Sequence, residues 1–300
     1  SFRPTGSGLE NCNTSQELFA FLPGISVSEN KISLLDKLPV IYVNGIKINS
    51  QDELAALLPK NIENIEVDYL AIGEGATTKG GVIRITTKKQ KDGGYSGSLG
   101  LKAGAMAAYG YNSSSPTFVF DASIGKWTFN YYAVNQHQKL IEDAKYNYLY
   151  DSGLQTNSIS ETRSWLNSFG NRLNISYEVN DKSTLAISEY VGNVTVKNKQ
   201  NSVVETILGN DEEAMENNNM IHGPESQFVQ QTVAKYILTT DDKGSKLEVT
   251  ADYYHQNHHL KQFEDIDNIR TYENSTQEKT NMFQLYPKYT RKFNGGKELK

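Results

Sequence analysis

The chain has 300 residues, a formal net charge of −5 and one cysteine. A single Cys12 excludes an intrachain disulfide. The lack of any run of about 18 apolar residues excludes membrane-spanning helices. Mild acidity, with no basic stripe interleaved with aromatics, argues against a nucleic-acid binder.

In chain order, Thr14 or Ser15 is placed to cap a short helix through Glu17–Leu22, closed by Pro23-Gly24. Residues 40–43 read as a strand. Asn44-Gly45 is a strong hairpin signal before Ile46-Lys47-Ile48. Ser50 is positioned to cap a second helix over 51–58, with acidic residues in its first turn and Pro59 as its stop. Residues 62–67 form a strand with apolar positions near period two. A glycine-rich stretch, Gly73 to Gly81, leads into a strand at 82–89. It holds no GxxxxGK[ST] or GxGxxG spacing and precedes a strand, so a phosphate cradle is rejected in favour of a connection needing glycine's backbone freedom.

From Tyr95 onward, long strand-like segments cover 95–106, 116–124, 127–137, 164–179, 184–196, 227–239, 246–260 and 279–293. Their connections alternate in kind. The even ones are tight: Gly125-Lys126, Asn180 to Ser183, Asp241 to Gly244, and Asn294-Gly295-Gly296. The odd ones are long and polar: 107–115, 138–163, 197–226 and 261–278. An up-and-down outer-membrane barrel sorts its connections this way, with tight turns on the periplasmic rim and long loops outside. Several segments alternate apolar with polar residues, as in Trp127-Phe129-Tyr131-Ala133, Leu173-Ile175-Tyr177-Val179 and Leu247-Val249-Ala251-Tyr253. Most also meet the roughly 9–11 residues that a tilted membrane strand needs. The apolar positions of 184–196 and 227–239 do not keep one parity, which predicts bulges. Trp127 and Tyr177 fall near short turns, Tyr109 and Trp165 near the opposite ends, as two aromatic girdles would require. The 18 Tyr and 11 Phe suit such strands.

No catalytic constellation, metal motif or cofactor motif is present: GxSxG, HExxH, EF-hand loops and cysteine pairs are all missing. All five histidines are expected at the long-loop side: His137, His222, His255, His258 and His259. His255, His258 and His259 invite a metal or metal-chelate reading, against the competing reading of ordinary polar loop composition. Tyr146, Tyr148 and Tyr150 invite a sugar- or chelate-stacking reading, against a self-packed hairpin extension. Asp211-Glu212-Glu213 reads as a solvated loop.

Residues 14–89 resemble the plug domain of TonB-dependent outer-membrane receptors, closest in look to the Bacteroidetes type. The resemblance rests on four pieces in order: Leu22-Pro23-Gly24-Ile25-Ser26-Val27, Ile41-Tyr42-Val43-Asn44-Gly45, Ile62 to Val67, and Gly80-Gly81-Val82-Ile83-Arg84-Ile85-Thr86-Thr87-Lys88. It departs from the family in having Asn44 for the usual aspartate, no arginine-glycine pair near Ser33-Leu34-Leu35-Asp36, and no TonB box. The resemblance implies a mostly β chain. Residues 1–90 would be an α+β plug, and 91–300 the first eight or so antiparallel strands of an incomplete barrel, which in this family has about 22. It also implies location in a Gram-negative outer membrane, contact with lipid, and no enzymatic activity. A small nutrient, glycan or metal chelate would bind on loops and plug, and a TonB partner would drive uptake. Pro23, Gly24, Asn44, Gly45, Gly73, Gly75, Gly80 and Gly81 would be structural or gating elements of the plug. The alternative is a soluble, secreted β-rich adhesin or glycan-binding module. The chain reads as mature or as a fragment, because no apolar leader precedes Ser1.

Overall fold

The computed structural model describes residues 2–28, 31–48, 51–69, 80–88, 93–106, 111–151, 153–208, 215–293 and 298–299. The chain is mostly β: a small mixed N-terminal region is followed by eight long antiparallel strands in one open sheet. By contacts it divides into two units. One is Ser1–Ser98 with Phe118–Tyr132 and Ile175–Glu178; the other is Leu99–Thr117, Ala133–Asn174 and Val179–Lys300.

In the N-terminal region, helix α1 (Ser15–Ala20) starts where the sequence predicts. The Thr14 hydroxyl accepts from the Glu17 amide, and the Glu17 carboxylate accepts from the Asn13 amide. One donor orphaned by the first turn and the amide just before the cap are thereby satisfied. Strands β1 (Ile25–Ser28) and β2 (Lys31–Leu34) form a hairpin. After β2, Leu35 (φ 50°) and Asp36 (φ 61°) make a left-handed two-residue turn. Strands β3 (Val40–Val43), β4 (Ile46–Lys47), β5 (Ile62–Asp68) and β6 (Val82–Thr87) form a sheet in the order β4-β3-β6-β5, with β3 and β6 parallel. Phe2 extends its β5 edge through paired hydrogen bonds of 2.7 Å with Ile65.

The core of this region is built from leucines, isoleucines and Phe19. Leu18, Phe19, Ile32, Ile62, Ile65 and Ile83 are fully buried. Ile62 and Ile65 of β5, separated by a register shift, and the alternate Ile83 and Ile85 of β6 share one core with Leu18 and Phe19 of α1.

The second helix departs from expectation. Residues Gln51–Ala56 form a 3-10 helix rather than an α-helix. The Gln51 side chain is committed elsewhere: it accepts from the Ile32 amide at 2.5 Å and donates to the Ile32 carbonyl at 2.9 Å, acting as a ladder partner for β2. The buried Ser15 hydroxyl donates to the Leu54 carbonyl. These tertiary bonds override the helical propensity of the segment.

The long strands are β7 (Gly94–Met106), β8 (Tyr111–Ile124), β9 (Trp127–Leu149), β10 (Leu154–Asn180), β11 (Ser183–Leu208), β12 (Met215–Thr239), β13 (Lys246–Ile266) and β14 (Ile269–Lys292). They run in sequence order across the sheet, with the short β15 (Glu298–Leu299) beside β14. Their beginnings and ends at the tight turns match the sequence reading, but their other ends do not. Strands β9 to β14 run far beyond the expected limits, through most of 138–163, 197–226 and 261–278. The described parts of those segments are hairpin extensions rather than loops. Polar residues occupy both faces of the extensions, so no alternation marks them, yet the backbone still pairs across them.

The bulges expected in 184–196 and 227–239 do not occur in the β11–β12 or β12–β13 ladder. The β11–β12 register is unbroken from Ser183↔Leu238 to Thr206↔Met215. Parity is mixed there because Val233, on the face opposite Ala234, is itself buried. A register shift occurs instead at Glu264/Asp265 between β13 and β14.

Gly80 and Gly81 enter β6 at the tightest backbone approach of the N-terminal region. A Cβ on Gly80 would lie 1.9 Å from the Leu38 carbonyl oxygen. Gly81 has φ of 72°, and a Cβ there would lie 2.7 Å from the Asp68 carbonyl oxygen. Gly80→Ala is therefore expected to destabilise this region by at least about 2 kcal/mol, because backbone rather than a pliable side chain must move. Limited proteolysis and chemical denaturation of the full-length protein check this, with Gly125→Ala, where a Cβ meets nothing within 4 Å, as the comparison.

Candidate functional site

The N-terminal turn elements are held by specific bonds. The Pro23 carbonyl accepts from the Tyr69 hydroxyl at 2.9 Å, and the Gly24 carbonyl accepts from the Leu35 amide at 2.9 Å. Asn44 and Gly45 form the two-residue turn of the β3–β4 hairpin, with φ of 51° and 79°, matching the sequence reading. Asn44 does more than turn the chain. Its amide donates to the Ile85 carbonyl, its side-chain oxygen accepts from the Thr87 amide at 2.9 Å, and its side-chain nitrogen donates to the Thr87 hydroxyl at 2.9 Å. The nitrogen bond needs an amide, so asparagine supplies a donor that an ionised aspartate lacks. Gly73 and Gly75 lie outside the described residues, as do Asp211-Glu212-Glu213, Tyr109 and the Asn294-Gly295-Gly296 turn.

The long sheet has two chemically distinct faces. On β11 to β14 the ladder aligns Leu185, Tyr236, Val249 and Pro287 in one row, Ile187, Ala234, Ala251 and Leu285 in the next, then Glu189, Thr232, Tyr253 and Phe283. This face is apolar and exposed: Leu185 is 48%, Ile187 45%, Leu285 63% and Phe283 69% accessible. The one carboxylate in these rows, Glu189, accepts from Gln230 and Thr232, its cross-strand neighbours.

On the opposite face, β11 to β13 carry buried polar side chains. Ser188 is fully buried, and Gln231 and Thr250 nearly so. Arg172 donates to the Ser188 hydroxyl at 3.0 Å and sits over the Tyr190 ring, Gln231 donates to the Asp252 carboxylate at 3.0 Å, and Lys235 lies 3.7 Å from Glu248. Near the Gly125-Lys126 turn, Trp127 packs against Tyr177 with centroids 4.6 Å apart and against Phe129 at 6.0 Å.

The tight turns carry a residue that sequence reading missed. Ser245 is fully buried. Its amide and hydroxyl both donate to Asp241, and its hydroxyl accepts from the Lys292 amide. These bonds hold the Asp241 carboxyl below its ordinary range, the Ser245 hydroxyl first. The signal was present as an Asp four residues before a Ser across a Gly-containing turn. Lys182 reaches Asp242 at 3.2 Å, linking two neighbouring turns.

The histidines do not gather. His255 and His259 stand on the exposed face and His258 on the other, because successive strand residues alternate. His255 contacts the Asn281 side-chain oxygen at 2.8 Å. His258 lies between Glu225 at 2.9 Å and Glu278 at 3.8 Å, using opposite ring nitrogens. Among the described residues no group of three potential ligands converges on one point.

Tyr146 and Tyr148 share a face of β9 and stack, with centroids 6.3 Å apart and planes 11° from parallel. Both are about half exposed, as is Tyr150, whose carbonyl accepts from the Gly153 amide to begin the hairpin turn. Trp165 lines an open depression with Asn167, Lys197, Lys199, Met220 and His222.

At the β13–β14 tip, Arg270 donates to Asp265, His222 lies 3.2 Å from the same carboxylate, and Arg270 covers the Phe263 ring at 4.4 Å. The Arg270 hydrogen bond, followed by that of His222, holds the Asp265 carboxyl below the usual carboxylate range. A depressed folded-state pKa contributes stability that is fully present above the unfolded value of about 3.9 and is lost as pH falls through the folded value. The hydrogen-exchange protection factor of the Asp267 amide, which donates to the Asn218 carbonyl, should therefore hold down through the ordinary carboxylate range and fall only below it. In Asp265→Asn the exchange should be faster at neutral pH and lose that acid step.

No protein-family model matches the chain, and no curated protein matches it. Among solved structures it is similar to the ferric yersiniabactin uptake receptor FyuA from Yersinia pestis, at 12% identity and a TM-score of 0.38, covering 96% of this chain and 61% of that one. It is similar to the ferric citrate transporter FecA, at 12% identity and a TM-score of 0.35, covering 96% and 59%. It is also similar to the siderophore receptor PirA from Pseudomonas aeruginosa, at 14% identity and a TM-score of 0.32, covering 98% and 61%. The chain spans less than two thirds of the length of each.

Proposed function

We propose that this chain is the plug and part of the wall of an outer-membrane receptor that takes up a ligand by TonB-dependent active transport. The observation that carries the reading is the inverted polarity of the long sheet. Leu185, Ile187, Phe283 and Leu285 face outward while Ser188, Gln231 and Thr250 are buried. Water selects the opposite arrangement, and contiguous exposed apolar patches of this kind mark contact with another surface. Hydrocarbon selects the arrangement found, because backbone donors and acceptors pair within the ladder while apolar side chains meet lipid. A soluble adhesin or glycan-binding module would bury these rows.

In this reading residues 1–90 act as the plug, with Pro23-Gly24, Asn44-Gly45, Gly73, Gly75 and Gly80-Gly81 as its structural and gating elements. The hairpin extensions project outside the cell. The tyrosine pair Tyr146 and Tyr148, with Tyr150, offers flat aromatic surface to a sugar or chelate. His255, His258 and His259 contribute separate polar contacts rather than one chelating site. The ligand is a small nutrient, glycan or metal chelate, the partner is the TonB energy-coupling protein, and the protein makes and breaks no bonds of its ligand.

Fractionation is the first check: the native protein should stay in the detergent-requiring outer-membrane fraction. Leu285→Arg should cost about 2–4 kcal/mol of membrane assembly, as a cation does near the centre of a barrel's lipid face. Assembly should be read as heat-modifiable gel migration. If the protein is released by aqueous extraction, and Leu285→Arg improves its solubility without loss of fold, the reading fails. Uptake is checked by deletion of the full-length gene, which should slow growth on one scarce nutrient to the same degree as loss of TonB.

A further inference from the structure

Strand β10 carries a hydroxyl at every second position of its upper half. Thr156, Ser158, Ser160, Thr162 and Ser164 follow one another in steps of two. A strand turns such a series onto one face. That face is the polar one, because the series stays in step with Arg172, which binds the buried Ser188 there. Burial keeps the same rhythm: Ser160 is buried and the other four are half-buried, while Ile159 and Arg163 between them are exposed. Among the described residues none of the five hydroxyls is taken up by a hydrogen bond within the protein.

Neighbouring strands widen the stripe. Asn157 donates to Glu205 at 3.1 Å on the other face, so the even positions of β11 share the face of the hydroxyls. They supply Asn198, Gln200, Ser202 and Thr206, and β12 adds Asn217 and Asn219 opposite Val204 and Ser202. On the other side, the Tyr150 amide donates to the Leu154 carbonyl, which puts the even positions of β9 on this face as well. Tyr146 and Tyr148 therefore stand beside the stripe, their rings stacked and about half exposed.

Charge is sorted against this surface. On β9 to β12 no lysine or arginine stands on the polar face above Arg172 among the described residues, and the charged groups there are the carboxylates Glu142 and Glu225. The opposite face at the same height is charged, with Glu161 bonded to Arg163 and with Lys199 and Glu205 nearby on β11. An anionic chelate would find no counter-charge on the stripe and would meet two carboxylates at its borders. A neutral ligand rich in hydroxyls fits it, since each Ser or Thr hydroxyl both donates and accepts. The C–H faces of a sugar ring pack on flat aromatic rings such as those of Tyr146 and Tyr148.

We propose that the upper polar face of β9 to β12 binds a neutral oligosaccharide. Tyr146 and Tyr148 pack against sugar rings, and the hydroxyls from Thr156 to Ser164 bind those of the ligand. The inference rests on the receptor reading above and narrows its ligand to a neutral glycan rather than a metal chelate.

The test uses the full-length protein purified from outer membranes in detergent. Isothermal titration is run with neutral gluco-, galacto-, manno- and xylo-oligosaccharides, with oligogalacturonate, with ferric citrate and with a pool of uncharged peptides. At least one neutral oligosaccharide should bind, and raised salt should leave its affinity unchanged because no ion pair contributes. Tyr146→Ala/Tyr148→Ala and Ser158→Ala/Ser160→Ala/Thr162→Val should each weaken it by about tenfold or more. Tyr146→Phe/Tyr148→Phe should keep it, since stacking needs only the ring. Glu161→Gln, on the opposite face, should also keep it. Heat-modifiable migration confirms that each variant is assembled.

An assembled alanine variant with undiminished affinity would overturn the assignment. Failure of every neutral oligosaccharide to bind would do so without any variant, as would tighter, salt-sensitive binding of oligogalacturonate or ferric citrate. Binding of the peptides in place of the sugars would assign a peptide ligand instead. A protein absent from the outer-membrane fraction ends the receptor reading; an outer-membrane protein that takes only the chelate or the peptides ends the glycan assignment alone.

Discussion

The register of β11 to β14, unbroken from the tight turns up to Glu264, is the constraint on which the rest of this sheet depends. Because side chains alternate strictly, a slip of one residue would turn a whole strand over and exchange its two faces. The chain fixes the register at the tight turns, where Ser245 binds Asp241 and Lys292 and where Lys182 meets Asp242. From there the ladder carries the assignment of faces upward for more than twenty residues with no bulge between β11 and β12. Apolar rows, neutral polar rows and the acidic residues around His258 all inherit their placement from those few bonds.

The N-terminal region solves a different problem. It is small, and its core draws on α1, the β1–β2 hairpin and the four-stranded sheet together. Polar side chains substitute for regular structure where the elements meet. Gln51 completes the β2 ladder, the Ser15 hydroxyl takes up the Leu54 carbonyl, and Asn44 ties its turn to Thr87. The first two satisfy backbone carbonyls that would otherwise be stranded in or beside the core, which is costly; the third secures an exposed turn. Gly80 and Gly81 allow the chain to enter β6 under the Leu38 carbonyl.

Much of this is legible in the residues. Turn chemistry is the clearest signal: Asn44-Gly45, Gly125-Lys126 and Asp241 to Gly244 all mark real turns, because each supplies a conformation or a side-chain acceptor that the turn requires. Apolar alternation locates the lower halves of the strands for the same local reason. The upper halves leave no such mark. Lys197 to Ser202 and Asn274 to Glu278 are polar on both faces, and what holds them in strands is pairing with a distant partner, not pattern. The 3-10 form of Gln51–Ala56 is hidden likewise, since it follows from bonds to Ile32 and Ser15, far away in sequence. Tyr146 and Tyr148 stand out as aromatics, but the stacking that sets their spacing emerges only once they share a face of β9.

Hairpins built on such a ladder have restricted ways to change length. Adding one residue to one arm of the β11–β12 hairpin would rotate every side chain beyond it onto the opposite face, carrying Lys197 and Lys199 inward. Two residues on each arm would raise the tip by about 7 Å and leave every face as it was. An odd insertion is tolerable only where the chain already absorbs a mismatch, as at Glu264/Asp265 near the β13–β14 tip. Length variation in these projections should thus come in paired steps along the shafts, with odd changes confined to the tips.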